Sequence, residues 1–328
     1  MWCCAPLRWG LWVCAAAAAL LQLAQACIVI ELNPSGFHAN VNNLLALIPL
    51  VASLHNDTVH YRLEAFHYKC AEDGGLADFL DSEQLALWPL ARGNRDKIRA
   101  LGCVYGTLKY GWDLRAKLRP RIPMEDLIAD ALDRNWRYQP DVQTRVDAAL
   151  KQLASKPGPT IAFHARGGDK RDEDMKLHRK IVAAGDAVES FIRAWPDVRG
   201  GTCVIVGDDD KMATDIGEAA ERAIGCQAWR PTTYRLPGGH NQSMFTHSSY
   251  DLKCAATREM FVDEELMANS DYLVGSYNSG ILQFITVLRH KKYGKSRTTY
   301  VDSSERLFDW NTMVQKALAS NQEAVGQV

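Results

Sequence analysis

Three short apolar runs of strand-forming residues, Thr160–His164, Cys203–Val206 and Tyr272–Val274, each end abruptly in a polar stretch. A segment with helical spacing of apolar residues follows each one. Strand–loop–helix units in series call for a parallel sheet covered by helices on both faces, an α/β fold. In such sheets ligands bind outside the carboxyl ends of the strands. The most polar stretches of the chain, 164–170, 207–210 and 275–279, fall at those ends. The order of segments therefore locates a site before any residue is given a role.

The remaining segments extend the pattern. Ile28–Leu32 is a strand candidate, and Asn40–Leu54, Asp126–Trp136 and Val142–Ala154 have helical spacing. Pro157-Gly158-Pro159 interrupts it, which sets an expected domain boundary with residues 27–155 on one side and 156–328 on the other. Beyond it, helices are predicted over Ile181–Trp195, Lys211–Ile224, Arg258–Ala268 and Ile281–Arg289, and a charged loop after His164. Thr298–Val301 is a last strand and Trp310–Ala319 a closing helix.

Residues 1–26 stand apart. Arg8 is their only charge, Leu11–Leu21 is almost wholly apolar, and Ala24-Gln25-Ala26 has the small residues of a cleavage site. These are the parts of a secretory signal peptide. Leu11–Ala26 is shorter than the roughly 20 residues that span a bilayer, which favours cleavage over an uncleaved membrane anchor. Either alternative places the rest in the lumen of the endoplasmic reticulum or Golgi. Of nine cysteines, Cys3, Cys4 and Cys14 belong to the leader. The other six (Cys27, Cys70, Cys103, Cys203, Cys226, Cys254) allow up to three disulfides in an oxidising compartment, and their spacing argues against structural zinc. Sequons at Asn56 and Asn241 fit the same compartment. Lys plus Arg number 38 and Asp plus Glu 39, so no bulk field draws nucleic acid or an anionic membrane. A bound anion must be held locally.

The first polar stretch is His164-Ala165-Arg166-Gly167-Gly168-Asp169-Lys170. Arg166 offers the planar fork of donors that suits a phosphate. The glycines let the backbone approach a ligand closely, and Asp169 and Lys170 can orient the arginine or add contacts. This segment resembles the H-x-R-R-x-D-K motif of the fucosyltransferase superfamily of α1,6-fucosyltransferases and protein O-fucosyltransferases. Val204-Ile205-Val206-Gly207-Asp208-Asp209 resembles that family's strand ending in paired aspartates. Asp263, eight residues before Asp271, and the run Asp271–Ser279 are similar to its D-x7-aDflvgt-x-SS block. Gly36-Phe37-His38-Ala39-Asn40 looks like a degenerate form of its first Gly-rich loop. Gly167 stands where the family has a second arginine, and Asn278 where the α1,6 branch has a serine.

The resemblance implies a GT-B architecture, two Rossmann-like domains across a cleft with the GDP-sugar in residues 156–328. It also implies inverting transfer of fucose from GDP-fucose to a hydroxyl of a glycan or glycoprotein. Arg166 would hold the β-phosphate, His164 and Asp263 the guanine, and Ser279 and Ser276 a phosphate at a helix N-terminus. Asp169, Lys170, Asp208 and Asp209 would shape the pocket, with Asn40 beside them. Asp174 is the candidate base, though in Arg171-Asp172-Glu173-Asp174 it also fits a solvated charge run. Asp208-Asp209-Asp210 fits either a divalent cation on a diphosphate or a helix N-terminus. Because Arg166 already supplies positive charge, a metal-free site without a cofactor is expected. The alternatives are a metal-dependent transferase with another donor and a non-catalytic GDP-sugar- or glycan-binding protein. Gly275–Ser279 is not a nucleophile elbow, and His55, His60, His240 and His247 lack metal-ligand spacing. Arg230–Cys254 is a candidate acceptor loop or a plain connection.

Overall fold

The computed structural model describes residues 27–31, 36–38, 40–42, 45, 58–62, 67–81, 104–107, 128–129, 131–132, 136–176, 182–231, 239–277 and 279–304. The leader, Asn56, Cys103, Asn278 and the predicted helix over Trp310–Ala319 lie outside the described residues.

Two parallel sheets are present among the described residues. The first has three strands, β1 (Cys27–Glu31), β2 (Thr58–Arg62) and β3 (Val104–Thr107), in the order β2-β1-β3. The second has β4 (Thr160–Ala165), β5 (Thr202–Gly207), β6 (Gln227–Trp229), β7 (Tyr272–Gly275) and β8 (Tyr300–Asp302), in the order β6-β5-β4-β7-β8. The chain runs outward from β4 through β5 to β6, then returns to β7 on β4's other side. That reversal leaves a crevice at the carboxyl ends of β4 and β7.

Six longer helices and one short one accompany the second sheet: α1 (Pro140–Ala154), α2 (Asp169–Lys176), α3 (Ala184–Ala194), α4 (Asp210–Ile224), α5 (Gln242–His247), α6 (Tyr250–Asn269) and α7 (Gly280–Tyr293). The strands alternate their side chains between two cores, as the pleat requires. Ile161, Phe163, Cys203 and Ile205 pack with Val188, Phe191, Ile216 and Ala220 of α3 and α4. Ala162, Val204 and Val206 face the other way, towards Phe261 and Leu266 of α6 and Phe284 of α7. This second core also takes in Phe37, Phe79, Tyr138 and Val142. The Phe261 ring lies 5.3–5.9 Å from those of Phe37, Phe79, Trp136 and Tyr138. Residues on both sides of the expected boundary at 155 thus share one apolar cluster.

Several elements differ from expectation. The charged stretch after β4 is helical from Asp169, not a loop. α6 begins at Tyr250 rather than Arg258, because Ser249 accepts a hydrogen bond from the Leu252 amide and caps it. Helical residues begin at Phe37 rather than Asn40. β2, β3, β6 and α5 carry too few apolar residues to announce themselves. Among the described residues, Cys70 pairs with Cys254 and Cys203 with Cys226.

The first disulfide closes a separation of 184 residues and the second one of 23. Loop-closure entropy then predicts a contribution of about 5 kcal/mol for Cys70–Cys254 against about 3 for Cys203–Cys226. Urea melts of Cys70→Ala/Cys254→Ala and Cys203→Ala/Cys226→Ala should show the larger loss for the first pair.

Candidate functional site

The three strand ends meet where expected. A cavity of about 500 Å³ opens at the carboxyl edge of β4, β5 and β7. His164, Arg166, Asp169, Lys170, Asp208, Asp263 and Ser279 all line it. A volume of this size suits a ligand the size of a nucleoside diphosphate.

Arg166 leaves the end of β4, and its guanidinium pairs with the Asp208 carboxylate at the end of β5. The other Asp208 oxygen accepts from the Gly167 amide at 3.0 Å, and Asp169 Oδ1 lies 4.0 Å from Arg166 Nη2. Two carboxylates therefore hold the arginine in place. Its Nε is buried with no acceptor among the described residues, a donor kept for something else.

Asp208, Asp209 and Asp210 face three different partners. Asp209 Oδ1 accepts from the Met212 amide at 2.9 Å and caps α4, and Asp210 pairs with Arg230. Asp209 is buried and does not line the cavity. It instead explains the glycine at 167: a Cβ there would lie 1.9 Å from Asp209 Oδ2. A second arginine at that position has no room.

Asp263, on α6, accepts from the Gly207 amide at 3.3 Å and reaches the cavity from beneath. His164, buried, lines the same cavity, and its Nδ1 has no hydrogen-bond partner among the described residues. Burial, reinforced by the Arg166 charge, pushes its imidazole pKa down to about 3, so it is neutral at physiological pH. Ser279 stands at the N-cap of α7 and lines the cavity, but its side chain makes no capping bond. The free amides of the first turn of α7 therefore face an opening that already holds a cation.

Not every predicted residue is brought in. Ser276 is not among the lining residues; its carbonyl accepts from the Ser279 amide and shapes the turn. Asn40 is buried, with Nδ2 3.4 Å from the Gly36 carbonyl, and its neighbours Gly36, Phe37 and His38 form the wall. Asp174 falls on α2, and its side chain lies outside the described residues.

Other wall residues had no motif to reveal them. Asp169 Oδ2 accepts from the Gln242 amide at 2.8 Å, and the Asp169 amide donates to the His240 carbonyl at 3.0 Å. Gly168 has φ +59, and a Cβ there would sit 2.0 Å from that carbonyl, so the two loops interlock only through glycine. Tyr68 donates to Gln242 Oε1 at 2.9 Å, and burial raises its phenol pKa to about 12, so it remains a donor. Part of the predicted Arg230–Cys254 loop is thus wall and helix: α5 caps on Asn241, which accepts from Met244. The density of Gly, His and Asn in Gly238–Asn241 was the only available signal.

Solved fucosyltransferases resemble this chain. No family model matches it, and no curated protein matches it. Among solved structures, fucosyltransferase NodZ from Bradyrhizobium is 13% identical with a TM-score of 0.49, over 80% of this chain and 92% of that one. POFUT1 in complex with GDP is 12% identical with a TM-score of 0.46, over 84% and 97%. A mutant of Arabidopsis thaliana FUT1 in complex with GDP is 11% identical with a TM-score of 0.47, over 84% and 73%. At such identities the cavity side chains take their roles from their own geometry.

Two outcomes are expected. Gly167→Ala should cost about 1–3 kcal/mol by driving Asp209 off its cap. In urea melts the double variant with Asp209→Ala should lose less than the sum of the two single losses, because truncation removes the carboxylate clash but leaves the Asp209 Cβ 2.6 Å from the new methyl. His164 titrates near 6.5 in the unfolded chain and about 3 when folded. The unfolded state takes up the proton first, so stability is complete above pH 6.5 and falls as the pH drops towards 3, by about 1.4 kcal/mol per pH unit. His164→Gln should flatten the decline of Tm between pH 6.5 and 4.5.

Proposed function

We propose that the cavity binds GDP-fucose and that the protein transfers its fucose, with inversion and without a metal, to a hydroxyl of a glycan or glycoprotein. One observation carries this: Arg166, fixed by Asp208, and the N-terminus of α7 at Ser279 line the same cavity. A diphosphate between them meets a fork of charged donors on one side and free amides on the other. As the bond to the sugar breaks, charge grows on the departing GDP, and both groups stabilise it without rearranging. Lys170 adds a cation to the lining.

Asp263 supports guanine in preference to other bases. Its carboxylate can accept from the N1–H and 2-amino edge that guanine alone offers. Neutral His164 lines the same cavity, its Nδ1 without a partner among the described residues. Asp169 and Asp208 position the arginine, and Asp209 keeps the loop's shape from below. Ser276 and Asn40 act one layer back. Residues 156–328 hold the donor in this assignment, and residues 27–155 serve the acceptor side of a GT-B cleft. The two disulfides among the described residues fit an oxidising secretory lumen, and no described helix is long and apolar enough to cross a membrane.

Calorimetry of the secreted protein with GDP in EDTA tests the donor assignment. Micromolar binding is expected, weakened about 10- to 150-fold by Arg166→Ala through loss of charged hydrogen bonds. A folded wild type that ignores GDP would sink it.

A further inference from the structure

One cavity-lining residue belongs to no part of the donor site described so far. His38 sits in the helical residues that follow Gly36, only 5% exposed, and its Nε2 lies 3.1 Å from Glu264 Oε1. Glu264 is wholly buried on α6, and neither of its oxygens, nor His38 Nε2 itself, has a well-aligned hydrogen bond among the described residues, so the pair is a close contact of charge-bearing groups. Burying a carboxylate costs several kcal/mol unless it is paired, and here the pairing group is a histidine on a cavity wall. Burial raises the Glu264 pKa, and His38 works against that rise.

The placement of His38 is firm. Its ring packs 5.1 Å from the Phe284 ring of α7. Asn42, one turn further on, donates to the Gly280 carbonyl at 2.8 Å. The segment carrying His38 is thereby tied to the helix start at which the diphosphate is placed. With Nε2 turned to Glu264, Nδ1 is the ring nitrogen left for a ligand. A carboxylate on one ring nitrogen holds the proton there and leaves a lone pair on the other.

We propose that His38, oriented by Glu264, is the base that takes the proton from the incoming hydroxyl, in place of Asp174. The proposal rests on the GDP-fucose assignment above. In the step, the acceptor O–H bond breaks and its proton passes to His38 Nδ1. The acceptor oxygen forms the new bond to the fucose anomeric carbon. The bond from that carbon to the β-phosphate oxygen breaks, and its electron pair leaves with GDP. Glu264 balances the imidazolium until it returns the proton to solvent. His164 and His240, the other histidines lining the cavity, are both shifted towards the neutral form by burial and by Arg166.

The test uses the secreted full chain with two probes: GDP for affinity, and GDP-fucose with water as acceptor for turnover. His38→Gln should bind GDP within about threefold of wild type yet release GDP from GDP-fucose at least about 100-fold more slowly. Glu264→Gln should slow release about 10-fold with GDP affinity kept, and added imidazole should restore part of the rate lost in His38→Ala, which no packing role predicts. A folded His38→Gln protein with wild-type release overturns the proposal. So does one that loses GDP affinity but not rate, or a wild type that binds GDP and never releases it from GDP-fucose. If the His38 variants fail to fold, a folded Glu264→Gln protein at full rate overturns it. Failure of wild type to bind GDP removes the donor assignment instead.

Discussion

Three consecutive buried carboxylates on one helix hold this molecule together. Asp263, Glu264 and Glu265 on α6 are all nearly or wholly inaccessible, and successive helical positions point about 100° apart. Each must therefore find its partner in a different part of the chain. Asp263 takes the Gly207 amide at the end of β5, and Glu264 takes His38 from the N-terminal segment. Glu265 takes Lys292 at 2.7 Å and the Tyr293 hydroxyl from the end of α7. Charges cannot stay buried unpaired, so the triplet dictates what may pack around α6. Cys254 at the helix's other end and Arg289, which donates to the Met267 and Ser270 carbonyls at its carboxyl end, add to the same clamp.

The site inherits its order from that clamp. Its floor is Asp263, and one wall carries His38. Arg166 lines the same cavity, immobilised by Asp208 and approached by Asp169, so its guanidinium is held without further loss of side-chain freedom. The interlock of Gly168 with the His240 carbonyl closes the remaining side. A long cation with two acidic neighbours gives up some net charge and gains direction.

Much of this was legible in the residues. The runs ending at His164, Val206 and Val274 were recognisable because buried parallel strands are continuous apolar stretches, and the polar residues after them could only lie at the sheet's edge. Asp263, singled out by the resemblance of its stretch to a fucosyltransferase block, lines the cavity. Other features were hidden. The charges of Asp169–Lys176 masked a helix, since an exposed helix can be almost wholly polar. Asp209 carried the signs of a ligand residue and is a cap. Tyr68, Gln242 and His38 have no local signature, because each matters through a partner far away in the chain.

The sequence by itself determined the α/β class, the strand ends at which the site lies and the identity of its main cation. Those follow from local patterns of apolar and polar residues within a few turns of chain. Only the tertiary structure decided which carboxylates line the cavity, which cap a helix and which lie against a histidine. Burial and pairing are relations between segments as distant as His38 and Glu264, and no local pattern encodes a distance of 3.1 Å between them.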